Sequence, residues 1–432
     1  MTDTTDSERA ERTSQRRRSR TLAIGGAVIL VVTLVVAAVV ALAPADAKPT
    51  SAERAAVCAK WTDPEARGPA ERSEGQGSRT LADACLRLNH LQAIGSHNSY
   101  HLQPGPELFA ALQAFDSALA ASFEYSHSPL ATQFESEGVR QIELDVFADP
   151  DGGLYDTRVV HQILGLPTDS GIPELEEPGF KVLHVQDVDF ESTCWTLVQC
   201  LEHVKAWSDA NPSHVPLAIL LELKQDTIPD PLNLGFVTPH PIGAAELDAL
   251  DAEIASVFPP EQVITPDDVR GSHTSLDAAV TTDGWPTLGE SRGKILFLMD
   301  NGDPHRSTYL AGHPALVGRM LFTNASPGDP DAGFIKRNDP TGANQAEIQA
   351  LVRQGYLVRT RADADTVHAR TGDTTMRDAA LASGAQWVST DYPVVGRAAP
   401  FGTDYVAQLP GGVPVRCNPV VTGPHCRDAA LE

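Results

Sequence analysis

Eight short apolar runs recur between residues 91 and 391. They cover 91–95, 140–146, 180–183, 216–223, 293–299, 320–323, 356–361 and 386–391. Each is rich in Val, Ile and Leu, as strands covered on both faces are. Helix-like stretches lie between most of them, at 107–121, 194–210, 244–257, 344–354 and 374–383. Few folds accommodate strand and helix alternating eight times. The pattern predicts an α/β protein, a (β/α)8 barrel with loop insertions. The inserts are residues 148–179, after the second run, and 225–240, after the fourth. Both are expected on the face where strands end, which in such barrels carries the chemistry.

The chain is long enough for this fold, with 432 residues and 42% hydrophobic content. Acidic residues exceed basic ones, 57 against 33, for a formal charge of −24. That balance argues against nucleic acid as a partner, because phosphate contacts need clustered Lys and Arg. It fits a secreted protein and one that tolerates or uses divalent cations.

Residues 1–15 are polar, and a basic block follows at Arg16-Arg17-Arg18-Ser19-Arg20. Residues 22–43 form an uncharged apolar run of 22 residues, long enough to span a bilayer as a helix. Ala45-Asp46-Ala47 resembles a small-residue cleavage site. A cleaved signal and a retained membrane anchor both put residues 48–432 outside the cytoplasm. The expected organisation is a tail with signal or anchor at 1–47, a lead-in at 48–87, and the barrel with a C-terminal extension at 88–432. The six cysteines fall in local pairs, Cys58 with Cys85, Cys194 with Cys200, and Cys417 with Cys426. An exported chain would oxidise them to loop staples, and none has the C-x-x-C spacing of a zinc site.

Three of the runs deliver polar side chains to one end. The first leads into Gly95-Ser96-His97-Asn98-Ser99, and the second contains Glu143 and Asp145, two apart and so on one face. The third ends in His184, while Glu222 and Lys224 finish the fourth. Inward carboxylates are costly unless something cationic joins them. Asn98, Glu143, Asp145 and Glu222 together make an all-oxygen donor set, which favours Ca2+ over zinc, and Ca2+ ahead of Mg2+ where substrate oxygens must also fit. His97 and His184 are then free for acid–base work, one taking a proton from an attacking hydroxyl and one protonating a leaving oxygen. A lone histidine at a strand end is usually structural, and His90, His101, His161 and His203 are read that way.

These residues resemble those of the phosphatidylinositol-specific phospholipases C, above all the bacterial calcium-dependent type, over roughly residues 88–395. His97-Asn98 matches the family's first catalytic histidine and the calcium-binding asparagine after it. Glu143 and Asp145 match its Glu-x-Asp calcium pair, His184 its second catalytic histidine, and Glu222 its fourth-strand calcium ligand. Lys224 stands in the position of a phosphate-facing lysine. The resemblance implies a phosphodiesterase that releases diacylglycerol. The inositol 2-hydroxyl attacks the phosphodiester, leaving a cyclic inositol phosphate that water can open. The general base is either the first histidine or a calcium-bound carboxylate.

Later runs offer Arg361 and Tyr392, suited to an inositol ring and its phosphates, although Arg361 equally suits an ion pair between strand ends. The expected partners are a phospholipid or another phosphodiester and a membrane surface, with the protein a monomer. Two other functions compete. A glycerophosphodiester phosphodiesterase shares the barrel and the Glu-x-Asp, but usually carries His-Arg-Gly where this chain has His97-Asn98-Ser99. A silent lipid- or calcium-binding module would not need both histidines.

Overall fold

The computed structural model describes residues 56–59, 76–282 and 284–432. The apolar run at 22–43, the motif Ala45-Asp46-Ala47 and most of the lead-in lie outside the described residues. Among the described residues, no helix is long and apolar enough to cross a membrane.

Ten strands form one sheet: β1 Leu91–Ser96, β2 Val139–Phe147, β3 Lys181–Val182, β4 Leu217–Lys224, β5 Ile295–Met299, β6 Leu321–Phe322, β7 Phe334–Lys336, β8 Leu357–Arg361, β9 Trp387–Thr390 and β10 Val415–Cys417. Eight of them are parallel and run in the order β6-β5-β4-β2-β1-β9-β8-β7. A parallel bridge between Asn324 and Phe334 brings the two ends of this row together. The result is the expected (β/α)8 barrel.

Two strands differ from expectation. The run at 180–183 is not a barrel stave. Its β3 lies antiparallel on the end of β2, pairing Val146 with Val182 and Phe147 with Lys181. Apolarity alone cannot distinguish a stave from a short flap on its edge. The stave in its place is β7, whose three residues are too few to register as an apolar run. No helix separates it from β6. The glycine at 95 does not end its strand either. It lies inside β1, where a Cβ would meet Oε1 of the buried Gln141 at 1.9 Å.

Helices Leu197–Ala210, Ala244–Val257, Ala343–Gln354 and Thr375–Ser383 fall where the periodicity places them. The stretch at 107–121 is instead two helices, Pro106–Phe115 and Ser117–Ser122. Asp116 divides them because its carboxylate accepts the amides of Ala118 and Leu119 at 3.0 and 3.1 Å, capping the second helix. The helices cover a continuous apolar core around the strands. A smaller cluster, including Leu112, Phe123, Phe147 and Phe190, supports the long loops beyond β1, β2 and β3.

The C-terminal segment closes the opposite end. Its β10 pairs antiparallel with the start of β1, and Arg140, near the start of β2, binds Glu432 at 2.9 Å. Disulfides join Cys58 to Cys85, Cys194 to Cys200 and Cys417 to Cys426. With that end covered, the polar strand ends at the other are left for function.

Candidate active site

Register decides which side chains meet. In β2 and β4, Asp145 is paired with Glu222 and Glu143 with Leu220. Parallel neighbours at one level point to the same side. Glu143, Asp145 and Glu222 accordingly bring carboxylate oxygens within 4.8 Å of one another. Burial pushes Glu143 up to about 7, and burial followed by the charge of Glu222 pushes Asp145 well above the usual range. Two cations moderate this. Arg359 reaches across from β8 to Glu143. Lys224 lies 3.3 Å from both Asp145 and Glu222.

Asn98 follows β1 in a left-handed conformation, φ 42°, which asparagine tolerates better than most residues. Its amide nitrogen donates to the Tyr125 hydroxyl at 3.1 Å, which fixes the orientation of the amide. The adjacent Ser99 locks this turn to β2. Its N–H donates to the Glu143 carbonyl at 2.9 Å, and its hydroxyl accepts the Glu143 N–H at 2.8 Å.

The residues fit a hard cation. Among the described residues, the Asn98 side-chain oxygen and Oδ1 of Asp145 are buried without a hydrogen-bond partner, and Oδ2 of Asp145 has only the Lys224 ammonium at 3.3 Å, a costly state that a metal ion would relieve. The donor set is all oxygen.

His97 leaves β1 beside Asp391, which follows β9. Their preceding residues, Ser96 and Thr390, are register partners. Nδ1 of His97 donates to Oδ1 of Asp391 at 2.9 Å. Arg361 lies 3.6 Å from the other Asp391 oxygen. Behind the ring, Nε2 of His127 donates to the His97 carbonyl at 2.7 Å, and Nδ1 of His127 accepts from Arg397 at 3.1 Å. Burial and then Arg361 push His97 down to about 3. Asp391 stays ionised despite its burial, held by His97, His127 and Arg361.

His184 forms a second dyad. A tight turn, bridged between Val185 and Asp189, folds Asp189 back so that its Oδ2 accepts from Nδ1 of His184 at 2.6 Å. The buried His101 binds the same carboxylate through Nε2 at 2.9 Å and stacks on Tyr125. Burial lowers His184, and the Asp189 carboxylate partly restores it. His101, His184 and Asp189 also lie close enough to grip a metal, but the Asp189 oxygens are already engaged by both rings. In each dyad the carboxylate accepts the Nδ1 proton, which leaves Nε2 as the working nitrogen.

Residues 86–419 match the model of the calcium-dependent phosphoinositide phospholipase C family. The chain belongs to that family. It is therefore a phosphodiesterase of a Ca2+-dependent, lipid-directed class. The glycerophosphodiesterase and silent-module readings give way to this one. No curated protein matches the chain.

Among solved structures, the chain is similar to a calcium-dependent phosphoinositol-specific phospholipase C from a Pseudomonas species, with 16% identity and a TM-score of 0.46 over 78% of this chain and 96% of that one. A Ca2+-dependent phosphatidylinositol-specific phospholipase C from Streptomyces antibioticus shares 18% identity, with a TM-score of 0.45 over 72% and 96%. A phosphatidylinositol-specific phospholipase C from Listeria monocytogenes shares 14%, with a TM-score of 0.38 over 71% and 89%.

The structure thus groups Glu143, Asp145, Glu222 and Lys224, and sets Arg361 beside His97. Tyr392 is not open to a substrate. It is buried against Tyr405 and Phe401, and its hydroxyl has no hydrogen-bond partner among the described residues. Asp189, which follows His184 by five residues, and Asp391, which closes the eighth run, were missed as histidine partners. A search for carboxylates near each histidine would have found the first but not the second.

Proposed function

We propose that the protein cleaves phosphatidylinositol, or a closely related inositol phosphodiester, into diacylglycerol and a cyclic inositol phosphate. The observation that carries this is the pair of His–Asp dyads on strand ends next to three converging carboxylates. Asn98, Glu143, Asp145 and Glu222 are the residues to hold Ca2+. Bound there, the ion would neutralise phosphate charge and favour ionisation of the attacking hydroxyl.

The chain's own groups move the protons. Nε2 of His97 accepts the proton of the inositol 2-hydroxyl as its oxygen bonds to phosphorus. The phosphorus–glycerol bond breaks, and Nε2 of His184 gives a proton to the departing oxygen. Asp391 and Asp189 hold the rings and stabilise each imidazolium. Burial disfavours the charged form of His184, and an anionic phosphate beside it restores that form. Arg361 and Lys224 supply further positive charge for the phosphate. Opening of the cyclic product by water runs the two roles in reverse.

The three disulfides support a location outside the reducing cytoplasm. Whether residues 22–43 leave the domain free or tethered, a lipid substrate would bring it to a membrane surface.

The test is phosphorus NMR of phosphatidylinositol in mixed micelles with the purified protein. A cyclic inositol phosphate should appear with Ca2+ and vanish with chelator. Release that ignores chelator would reject the calcium role. Release from glycerophosphodiesters alone would reject the substrate.

A further inference from the structure

We propose that an apolar cavity beside His184 takes an acyl chain of the phospholipid during turnover. This rests on the phospholipase reading above and adds a binding site to it. The cavity holds about 450 Å³, within the range of small-molecule pockets. Its wall comes from four successive loops on the face where the strands end. Leu112 and Phe115 follow β1, Ile163 follows β2, Val188 follows β3 and Leu232 follows β4.

Its position relative to the chemistry selects the occupant. Phe123 lines the cavity and also packs edge-on against His184, ring centroids 5.3 Å apart. Val185 and Val188 line it from the same turn that presents Asp189 to His184. The group that leaves toward His184 is the glycerol side of the substrate, which carries the acyl chains. The headgroup side faces Arg361 and the carboxylates.

The lining has almost no polar function. Asp230 is the one charged residue in it, and its carboxylate is committed to the loop's own backbone. It accepts the amides of Leu234 and Gly235 at 2.9 and 2.8 Å. That cap folds the loop so that Leu232, Leu234 and Phe236 face the cavity. At the mouth the surface stays greasy, with Phe115 72%, Leu232 60%, Ile163 51% and Leu119 38% exposed. These are four of the eight large apolar residues exposed among the described residues. Such clustering marks a binding surface rather than chance exposure.

The test uses phosphatidylinositols with chains of four to eight carbons, kept monomeric below their micelle-forming concentrations. Each added methylene should raise kcat/KM about three- to fourfold until the cavity is filled. Ala111→Trp, which fills the cavity, should flatten that dependence. As a readout without catalysis, monomeric cis-parinaric acid should bind the wild-type protein with a rise in fluorescence, and dioctanoyl phosphatidylinositol should displace it. No dependence on chain length below the micelle threshold, or no binding of the probe, overturns the proposal. A rise in rate only when micelles form also overturns it, because the mouth then inserts into a lipid surface. All three results leave the phospholipase reading intact. That reading fails differently, with no inositol phosphate from any chain length, and its failure takes the acyl site with it.

Discussion

Nδ1 of His97 lies 2.9 Å from Oδ1 of Asp391, although 294 residues separate them. The contact follows from barrel closure. β1 and β9 are parallel neighbours, Ser96 pairs with Thr390, and the next residue of each leaves the sheet at the same level. His97→Ala should lower kcat by about 10²–10⁴, the usual worth of a positioned acid or base. Asp391→Asn should also cost activity, because an amide can present its NH₂ to Nδ1 and favour the wrong tautomer. Release of inositol phosphate under saturating substrate measures both.

The two histidines are separable by leaving group. A general acid matters only when the departing oxygen needs a proton. His184→Ala should be strongly impaired on the natural lipid, yet recover most of its rate on an inositol phosphodiester with a nitrophenol leaving group. His97→Ala should be impaired on both. Equal rescue of the two variants would reverse or erase the division of roles. Asp189→Asn should move the alkaline limb of the pH profile to lower pH, since that carboxylate raises the His184 pKa.

The strand-borne part of this site was legible because a strand's period of two is visible in sequence. Glu143 and Asp145 had to share a face, and their pairing with Glu222 needed only a parallel neighbour. Asp391 was not legible as a partner, since its closeness to His97 comes from β9 lying against β1. The Asp189 contact needed a tight turn that no glycine or proline announces, with Asp187 taking the left-handed φ of 66°. The mistaken stave at 180–183 has a similar cause. Its apolar residues are buried whether the segment closes the barrel or lies on β2. Tyr392 at a strand end reads as available, but its side chain is buried among aromatic neighbours and is not open to a substrate.

Calcium should be visible without any substrate. The Asn98 side-chain oxygen and Oδ1 of Asp145 are buried with no hydrogen-bond partner among the described residues, and an ion that binds the folded state alone raises stability by RT ln(1 + [L]/Kd). At a hundredfold excess over Kd that is about 2.7 kcal/mol, a rise of several degrees in Tm. Differential scanning fluorimetry with Ca2+ and with chelator measures it. Asp145→Asn and Glu222→Gln should each lose most of the shift. A full shift in both variants would put the ion elsewhere.

Acid should destabilise the protein through histidines outside the site, and His90 tests this. Burial, and then the charge of Arg87, lowers it from the ordinary value near 6.5 to about 4. Its Nδ1 accepts the Arg87 N–H at 3.2 Å, which requires the neutral ring. The unfolded chain therefore binds this proton at higher pH than the folded one. Stability is fully present above pH 6.5 and is lost as pH falls through the interval down to about 4, where the loss levels off. The shift corresponds to about 3 kcal/mol at the acid end. His90→Asn keeps an acceptor for the Arg87 amide but cannot titrate. Its stability, measured by urea unfolding at pH 7 and pH 4.5, should fall less between the two than that of the wild type. An unchanged difference would assign the acid sensitivity to other groups.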